Sequence, residues 1–443
     1  MVRFLTFIFF LALLYGCASK PPKLELPKQD LQSYISNESL ESLKPPSTKN
    51  LKNKYLQQFF SPFSKIPKND SIQAQWGLQQ ALTNLGYGEN LLPYSLAEIE
   101  ELAKEANFEN FPSLKQPAII TKSSNLRVLP TNKPRFFNPK TAGEGFPFDY
   151  WQNSYIYLGT PILITHYSKS KKWAFVESGF VSGWIEVLNI AILNQKQTQE
   201  LRQTQEFLVA KKDNIPIYNT HQEFLETARI GMLLPLLGST KKAYESFIFT
   251  RTQRGYAKKI KIHLHSQDFT RFPMPFSSKN YASLAQKLMG EKYGWGGMFG
   301  NRDCSMFLRD TLGNFGFYLQ RNSQAQILPN NLNKSLYFDL SQMNPSQKKL
   351  FIQNNAIPFA TLLGMKGHIM LYVGSFGGEI FVLHDIWGLK TLQNGEEGRS
   401  IIGKIALTPL NIGENTKGIN QNTLLIKRIY GMRNLFDKAN YAK

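Results

Sequence analysis

Cysteine is nearly missing from this chain, with two in 443 residues, Cys17 and Cys304. So few thiols exclude a disulfide-stapled scaffold, and they exclude thiolate zinc sites, which need two to four cysteines at close spacing. Acidic side chains are outnumbered, 32 against 52 Lys and Arg, for a formal net charge of +20. The lysines are scattered and no RNA- or DNA-binding motif accompanies them, so the basic balance points away from nucleic acid and towards anionic head groups and wall polymers. Long apolar runs are also lacking. The one candidate, residues 4–14 after Arg3, is too short to span a bilayer comfortably. What is abundant is aromatic side chains, 32 Phe and 19 Tyr, within 42% hydrophobic residues. That composition belongs to folded rather than disordered chains, and the length predicts roughly three or more domains.

The apolar run predicts a signal peptide over residues 1–16. It ends in Leu14-Tyr15-Gly16-Cys17, which resembles a bacterial lipobox and implies that Cys17 carries a lipid anchor. Ala18, rather than Asp, follows it and favours outer-membrane sorting, so the expected location is exported and membrane-anchored, facing the periplasm. With Cys17 committed, Cys304 has no disulfide partner. A lone thiol in an exported chain is exposed to oxidation and favours a reactive role.

Composition and periodicity divide the remainder. Residues 17–50, rich in Lys, Pro, Ser and Asn, read as a tether. Helical stretches Ile72–Leu85 and Leu96–Ala106 predict a small helical domain over 51–115. Short β-rich runs punctuated by turn residues follow over 116–195. Asn125-Leu126-Arg127-Val128-Leu129-Pro130 and Gly183-Trp184-Ile185 resemble the two ends of a bacterial SH3b barrel. Asn214-Ile215-Pro216-Ile217-Tyr218 and Arg254-Gly255-Tyr256-Ala257 resemble the same places in a divergent second copy over 196–272. Residues 273–443 form the last domain.

Chemistry concentrates there. A helix with apolar Tyr281, Leu284, Ala285 and Leu288 runs into Tyr293-Gly294-Trp295-Gly296-Gly297, and a second helix begins near Asp303, a suitable cap. Cys304 falls in its first turn, where the macrodipole and unpaired backbone N–H groups favour a thiolate and can receive an oxyanion. A general base is expected from a different element. Gly367-His368-Ile369-Met370-Leu371-Tyr372-Val373 reads as a strand, and Ile380-Phe381-Val382-Leu383-His384 as its return. A hairpin centred near Phe376 puts His384 opposite or diagonal to His368, where it orients the base, although a purely structural histidine fits position 384 as well. The other histidines, His166, His221, His263 and His265, fall in the barrels.

Tyr293-Gly294-Trp295-Gly296-Gly297, Asp303-Cys304-Ser305, Gly367-His368 and His384, in this order behind a lipobox and SH3b-like barrels, resemble the NlpC/P60 cysteine peptidases. The resemblance implies a multidomain chain: a small helical N-terminal domain, two SH3b-like β-barrels and a C-terminal α+β papain-like domain. It implies Cys304 as nucleophile, His368 as base and His384 as the third group. It also implies substrate contacts from Tyr293, Asp303, Ser305, Arg321, Asn322 and Ser323. Relatives carry Arg-Asp-Ser where this chain has Arg321-Asn322-Ser323, and their Asp binds a free L-Ala amine. Expected partners are peptidoglycan stem peptides or muropeptides and the membrane, with no metal or cofactor. The expected reaction is hydrolysis of γ-D-glutamyl-diamino acid bonds. Alternatives are a non-catalytic wall-binding lipoprotein, or an amidase or acyltransferase using the same Cys-His pair.

Overall fold

The computed structural model describes residues 21–35, 45–329 and 334–437. The expected signal peptide and lipid-anchored Cys17 lie outside the described residues. Among the described residues no helix is long and apolar enough to cross a membrane.

The helical unit starts earlier than expected. Thr48–Phe59, capped by Ser47, buries Leu51, Tyr55 and Phe59, a four-residue spacing that puts all three on one face. Leu96–Ala106 forms as expected behind a Ser95/Glu98 capping box. The other stretch, Ile72–Leu85, is instead two pieces, Ser71–Ala74 and Trp76–Thr83, separated at Gln75.

The described part of the expected tether is a docked strap. Its Gln29 side chain exchanges two hydrogen bonds with the backbone of Leu407, donating to the carbonyl and accepting from the N–H, both at 2.9 Å. Leu31 is fully buried and donates its N–H to Gln286 Oε1 at 2.8 Å. Tyr34 packs its ring 4.9 Å from Phe381 and 5.3 Å from Phe376. The polar composition hides this because a few apolar side chains, each with its own slot, suffice to hold an extended segment.

The first barrel is one seven-stranded antiparallel sheet in the order 152–156, 124–127, 182–186, 173–177, 161–167, 116–120, 190–192. The second has a five-stranded sheet, 257–265, 243–251, 233–239, 207–210, 269–271, beside the two-stranded pair Ile215–Tyr218 and Phe224–Ala228. The last domain orders six antiparallel strands as Tyr337–Asp339, Ile429–Asn434, Thr361–Met365, His368–Phe376, Glu379–Gln393 and Glu396–Pro409. The helix Cys304–Gly313 packs on one face of that sheet through Phe307, Leu308 and Leu312 against Ile369, Leu371 and Leu383. The opposite face holds a second apolar cluster built around Met370, Tyr372 and Val382. The expected α+β architecture behind two barrels is what the chain forms.

Candidate active site

Asp303 caps the helix that begins at Cys304, accepting from Met306 N–H at 2.9 Å. Its carboxylate is saturated further: Ser305 Oγ donates at 2.9 Å, Gly296 N–H at 3.1 Å, and Arg321 donates from both terminal nitrogens, at 3.1 and 2.8 Å. Arg321 also donates to Ser305 Oγ at 2.8 Å and, from Nε, to Ser154 Oγ of the first barrel at 2.7 Å. Arg321 is therefore buried and committed to fixing the start of the nucleophile helix. This differs from the substrate contact implied for it, because four of its five N–H groups are already spent. Asn322 is likewise a cap, its Oδ1 accepting from Ala325 N–H at 2.8 Å, with its amide end exposed. Tyr293, Asp303, Ser305, Arg321, Asn322 and Ser323 all line one cleft of about 470 Å³ with Cys304.

The glycines of the preceding loop have a steric reason. Gly296 and Gly297 have φ of 60° and 86°, and a Cβ there would sit 2.5 Å from the Gln152 carbonyl oxygen and 2.5 Å from Tyr155 Cβ. The loop is thus pressed against the first barrel, whose Tyr150, Gln152, Asn153 and Ser182 form the facing wall of the cleft. Trp76 of the helical unit completes the rim.

Behind Cys304, the backbone N–H of Ile369 points at the thiol. The neighbouring His368 pairs Nε2 with His384 Nδ1 at 2.8 Å, and His384 Nε2 meets Thr408 Oγ1 at 3.1 Å. A simple two-residue turn at Gly377-Gly378 would not do this. It pairs Phe376 with Glu379 and Gly374 with Phe381, and continued without interruption would set His384 opposite Leu371, on the face away from His368. A bulge at Val373 shifts the register so that Leu371 pairs with Leu383 and Tyr372 with Val382. His384 then falls opposite Met370, diagonal to His368 on one face. The hairpin turns at Gly377-Gly378 rather than at Phe376, and the bulge restores the parity.

Electrostatics differ from the thiolate expected at the helix start. Burial, and next the Asp303 carboxylate, push the Cys304 thiol up against the lowering effect of the Ile369 N–H. Burial, with Arg428 acting in the same direction, lowers His368 to about 3. His384 is driven well below its usual value by burial and by His368. Both shifts favour a neutral thiol beside a neutral imidazole. Asp385, with neither carboxyl oxygen partnered among the described residues, is raised well above the usual range by burial and by the Asp303 and Glu291 charges.

One residue before the cap, Arg302 is wholly buried in an ion network. It donates to Asp213 of the second barrel at 2.7 Å, to Glu291 at 2.8 Å and to Asp310 at 2.9 Å. Arg229 of the second barrel joins Asp213 and Glu291 at 2.8 Å each, and Tyr157 of the first barrel donates to Asp310 at 2.6 Å. Sequence reading missed Thr408, Ser154, Trp76 and this network, since each joins segments tens to hundreds of residues apart. Among the described residues no group of three or more His, Cys, Asp or Glu side chains is arranged to hold a metal ion.

Comparison with known proteins follows the same four parts. The profile of an NlpC/P60 N-terminal stabilising domain matches residues 6–111, an SH3 domain of the SH3b1 type 134–186, an SH3 domain of the SH3b2 type 194–241, and the NlpC/P60 family 290–394. The stabilising-domain match runs through the docked strap. A solved NlpC/P60 endopeptidase from Photobacterium damselae subsp. piscicida is 24% identical, with a TM-score of 0.79 over 94% of this chain and 99% of that one. An NlpC/P60 family protein from Bacillus cereus is 15% identical, with a TM-score of 0.47 over 72% of this chain and 100% of that one. A search of curated proteins found no match. The fold is shared with the first of these structures over nearly the whole chain, and residues 290–394 match the NlpC/P60 family, whose members are typically cysteine peptidases.

Proposed function

We propose that this protein is a cysteine endopeptidase of peptidoglycan stem peptides, cleaving the bond between γ-D-glutamate and a diamino acid, held at a membrane facing the periplasm through a lipid on Cys17. The observation that carries the catalytic part is the hydrogen-bonded line His368–His384–Thr408, whose first member directly precedes the Ile369 N–H that meets the Cys304 thiol at the helix start.

The reaction needs the tautomers in which Thr408 Oγ1 accepts from His384 Nε2–H and His384 Nδ1 accepts from His368 Nε2–H, which leave the lone pair on His368 Nδ1. That nitrogen takes the Cys304 thiol proton as the sulfur attacks the amide carbonyl carbon. Because both partners rest neutral, proton transfer accompanies attack instead of preceding it. Backbone N–H groups of the first helical turn, with the Tyr293 hydroxyl at the cleft, receive the oxyanion. Collapse breaks the C–N bond, and His368 hands its proton to the leaving amine. Water, losing a proton to the same imidazole, attacks the thioester, and the departing sulfur recovers that proton as the thiol.

Digestion of defined muropeptides, followed by mass spectrometry, tests the reading. Wild-type protein should release a product ending in D-glutamate with a free γ-carboxyl, and Cys304→Ala should release none. Products cut elsewhere, or equal turnover by the alanine variant, count against it. Lipidation is tested separately by palmitate labelling, which should vanish in Cys17→Ala.

A further inference from the structure

The catalytic cleft does not end at the turn formed by residues 320–325. Beyond it lies a second cleft of about 320 Å³, bounded by the helical unit, the first barrel and this turn, at the lower end of the size range of small-molecule sites, ~300–1,000 Å³. The two clefts share Phe180, Val181 and Ser182 as a common wall, and Arg321, Asn322 and Ser323 face one while Gln320 and Ala325 face the other. They form a single path crossing the place where the amino end of a stem peptide is expected.

The charges along this path are unsuited to an amine. Asp303 and Glu177 are the carboxylates lining the two clefts. Asp303 is saturated by Arg321 and the helix cap. Glu177 accepts from Lys68 N–H at 2.6 Å and from Asn69 N–H and Nδ2 at 3.0 and 2.9 Å. Asp303 has no lone pair left for an ammonium group, and Glu177, which keeps one on Oε2, is 2% exposed and has its charge offset by the nearby Lys68 ammonium. A cation is present instead, the Lys68 ammonium, which donates to Ser61 Oγ and to the Ser178 and Gly179 carbonyls at 3.2 to 3.3 Å. Asn322, at the junction, is an uncharged amide. A protonated amine placed here would lose water, face a like charge and gain no counter-charge. An amide-linked group has no such cost.

The polar groups that remain open are neutral. The side-chain amides of Gln58 and Gln320 line the second cleft and have no partner among the described residues. Uncommitted amides beside hydroxyls suit a ligand that both donates and accepts many hydrogen bonds without charge, which is the chemistry of a sugar. We infer that the second cleft is a glycan subsite, which holds the amino sugar joined through an acyl arm to the first residue of the stem peptide, so that the substrate is a glycan-linked stem and not a free peptide. This inference rests on the peptidase reading above and names the substrate class of that site.

The experiment compares three substrates with the same γ-D-glutamyl bond: a disaccharide-linked tetrapeptide, the same peptide with a short N-acyl cap, and the peptide with a free amine. Wild-type kcat/KM should be about ten-fold or more higher for the glycan-linked form than for either other form. In Gln58→Trp and Gln320→Trp, both at accessible positions, the ratio of glycan-linked to N-acyl kcat/KM should fall towards one, with melting temperature as a check on folding. Equal rates on glycan-linked and free peptide overturn the inference, as does a full gain from the short cap or a ratio unmoved by both tryptophans. In those cases the bond is still cut and the peptidase reading stands. If none of the three is cut, both fail.

Discussion

The two barrels carry related profiles, yet they meet the nucleophile from different sides and with different chemistry. The first presents Tyr150, Gln152, Asn153 and Ser182 to the cleft, and its contacts with the catalytic loop are hydrogen bonds and close packing, such as Gln152 Nε2 to the Gly296 carbonyl at 3.1 Å. The second contributes nothing to the lining of that cleft. It sends Asp213 and Arg229 into a buried ion network around Arg302, immediately before Asp303 and Cys304. One barrel walls the cleft, and the other braces the helix start from outside it. A shared fold pattern therefore says little about which task a copy performs, because the task depends on a few side chains at its border.

Breaking the brace should have the largest effect. Arg302→Leu leaves Asp213, Glu291 and Asp310 buried without their shared cation, a change that typically costs about 3–5 kcal/mol. Thermal unfolding should show it directly, and a variant that melts with wild type would remove the brace from the comparison. Acid should loosen the same joint. Burial raises the Asp213 carboxyl, but Arg302 and Arg229 overcome this and hold it at about 2. Its contribution is thus present above the unfolded value near 3.8 and is lost as pH falls through about 2, roughly 2 kcal/mol in all. Melting temperature against pH should fall less steeply over this window in Asp213→Asn, starting from a lower plateau.

Thr408 belongs to neither barrel and serves as a reference for a purely chemical lesion. Thr408→Val should lower kcat about ten-fold, equivalent to ~1.4 kcal/mol, with KM and melting temperature little changed. In wild type the acid limb of kcat/KM should lie well below pH 6.5, because His368 stays neutral down to about 3. A limb near 6.5 would mean that water reaches the imidazole. On the wall, Asn153→Ala should raise KM a few-fold and, because its Nδ2 also donates to the Ser182 carbonyl at 2.7 Å, lower stability by no more than about 1 kcal/mol. The smallest effect belongs to the outer face of the brace. Tyr218→Ala and Phe224→Ala, on the exposed hairpin of the second barrel, should change stability by less than about 0.5 kcal/mol each and leave KM alone. A clear rise in KM there would give the second barrel a substrate contact and erase the distinction.

The readable part of the sequence was the part whose physics is local. Asp303 as cap, Cys304 in the first turn and the Gly-rich loop before them are decided within a dozen residues, and the strands of the first barrel all fall inside the β-rich stretch of 116–195. Arg302 reads locally as an ordinary charged residue, and only the meeting of segments near 213, 291 and 310 gives it a reason to be buried. The docked strap is hidden for a related cause: composition measures how many apolar groups a segment has, whereas docking depends on whether each has somewhere to go. The resting charge state is not legible in spacing, because a helix start favours the thiolate while burial and Asp303 oppose it.

The extra residue at Val373 also limits how this hairpin can change over time. Since strand faces alternate, losing any single residue between the bulge and the turn would carry His384 to the wrong side of the sheet while leaving every amino acid of the site intact. A lineage can lengthen or shorten this hairpin without silencing the enzyme only in pairs of residues, or by making two compensating changes at once. Comparisons that ask whether the histidines are retained would miss such a loss, and counting the residues between them would reveal it.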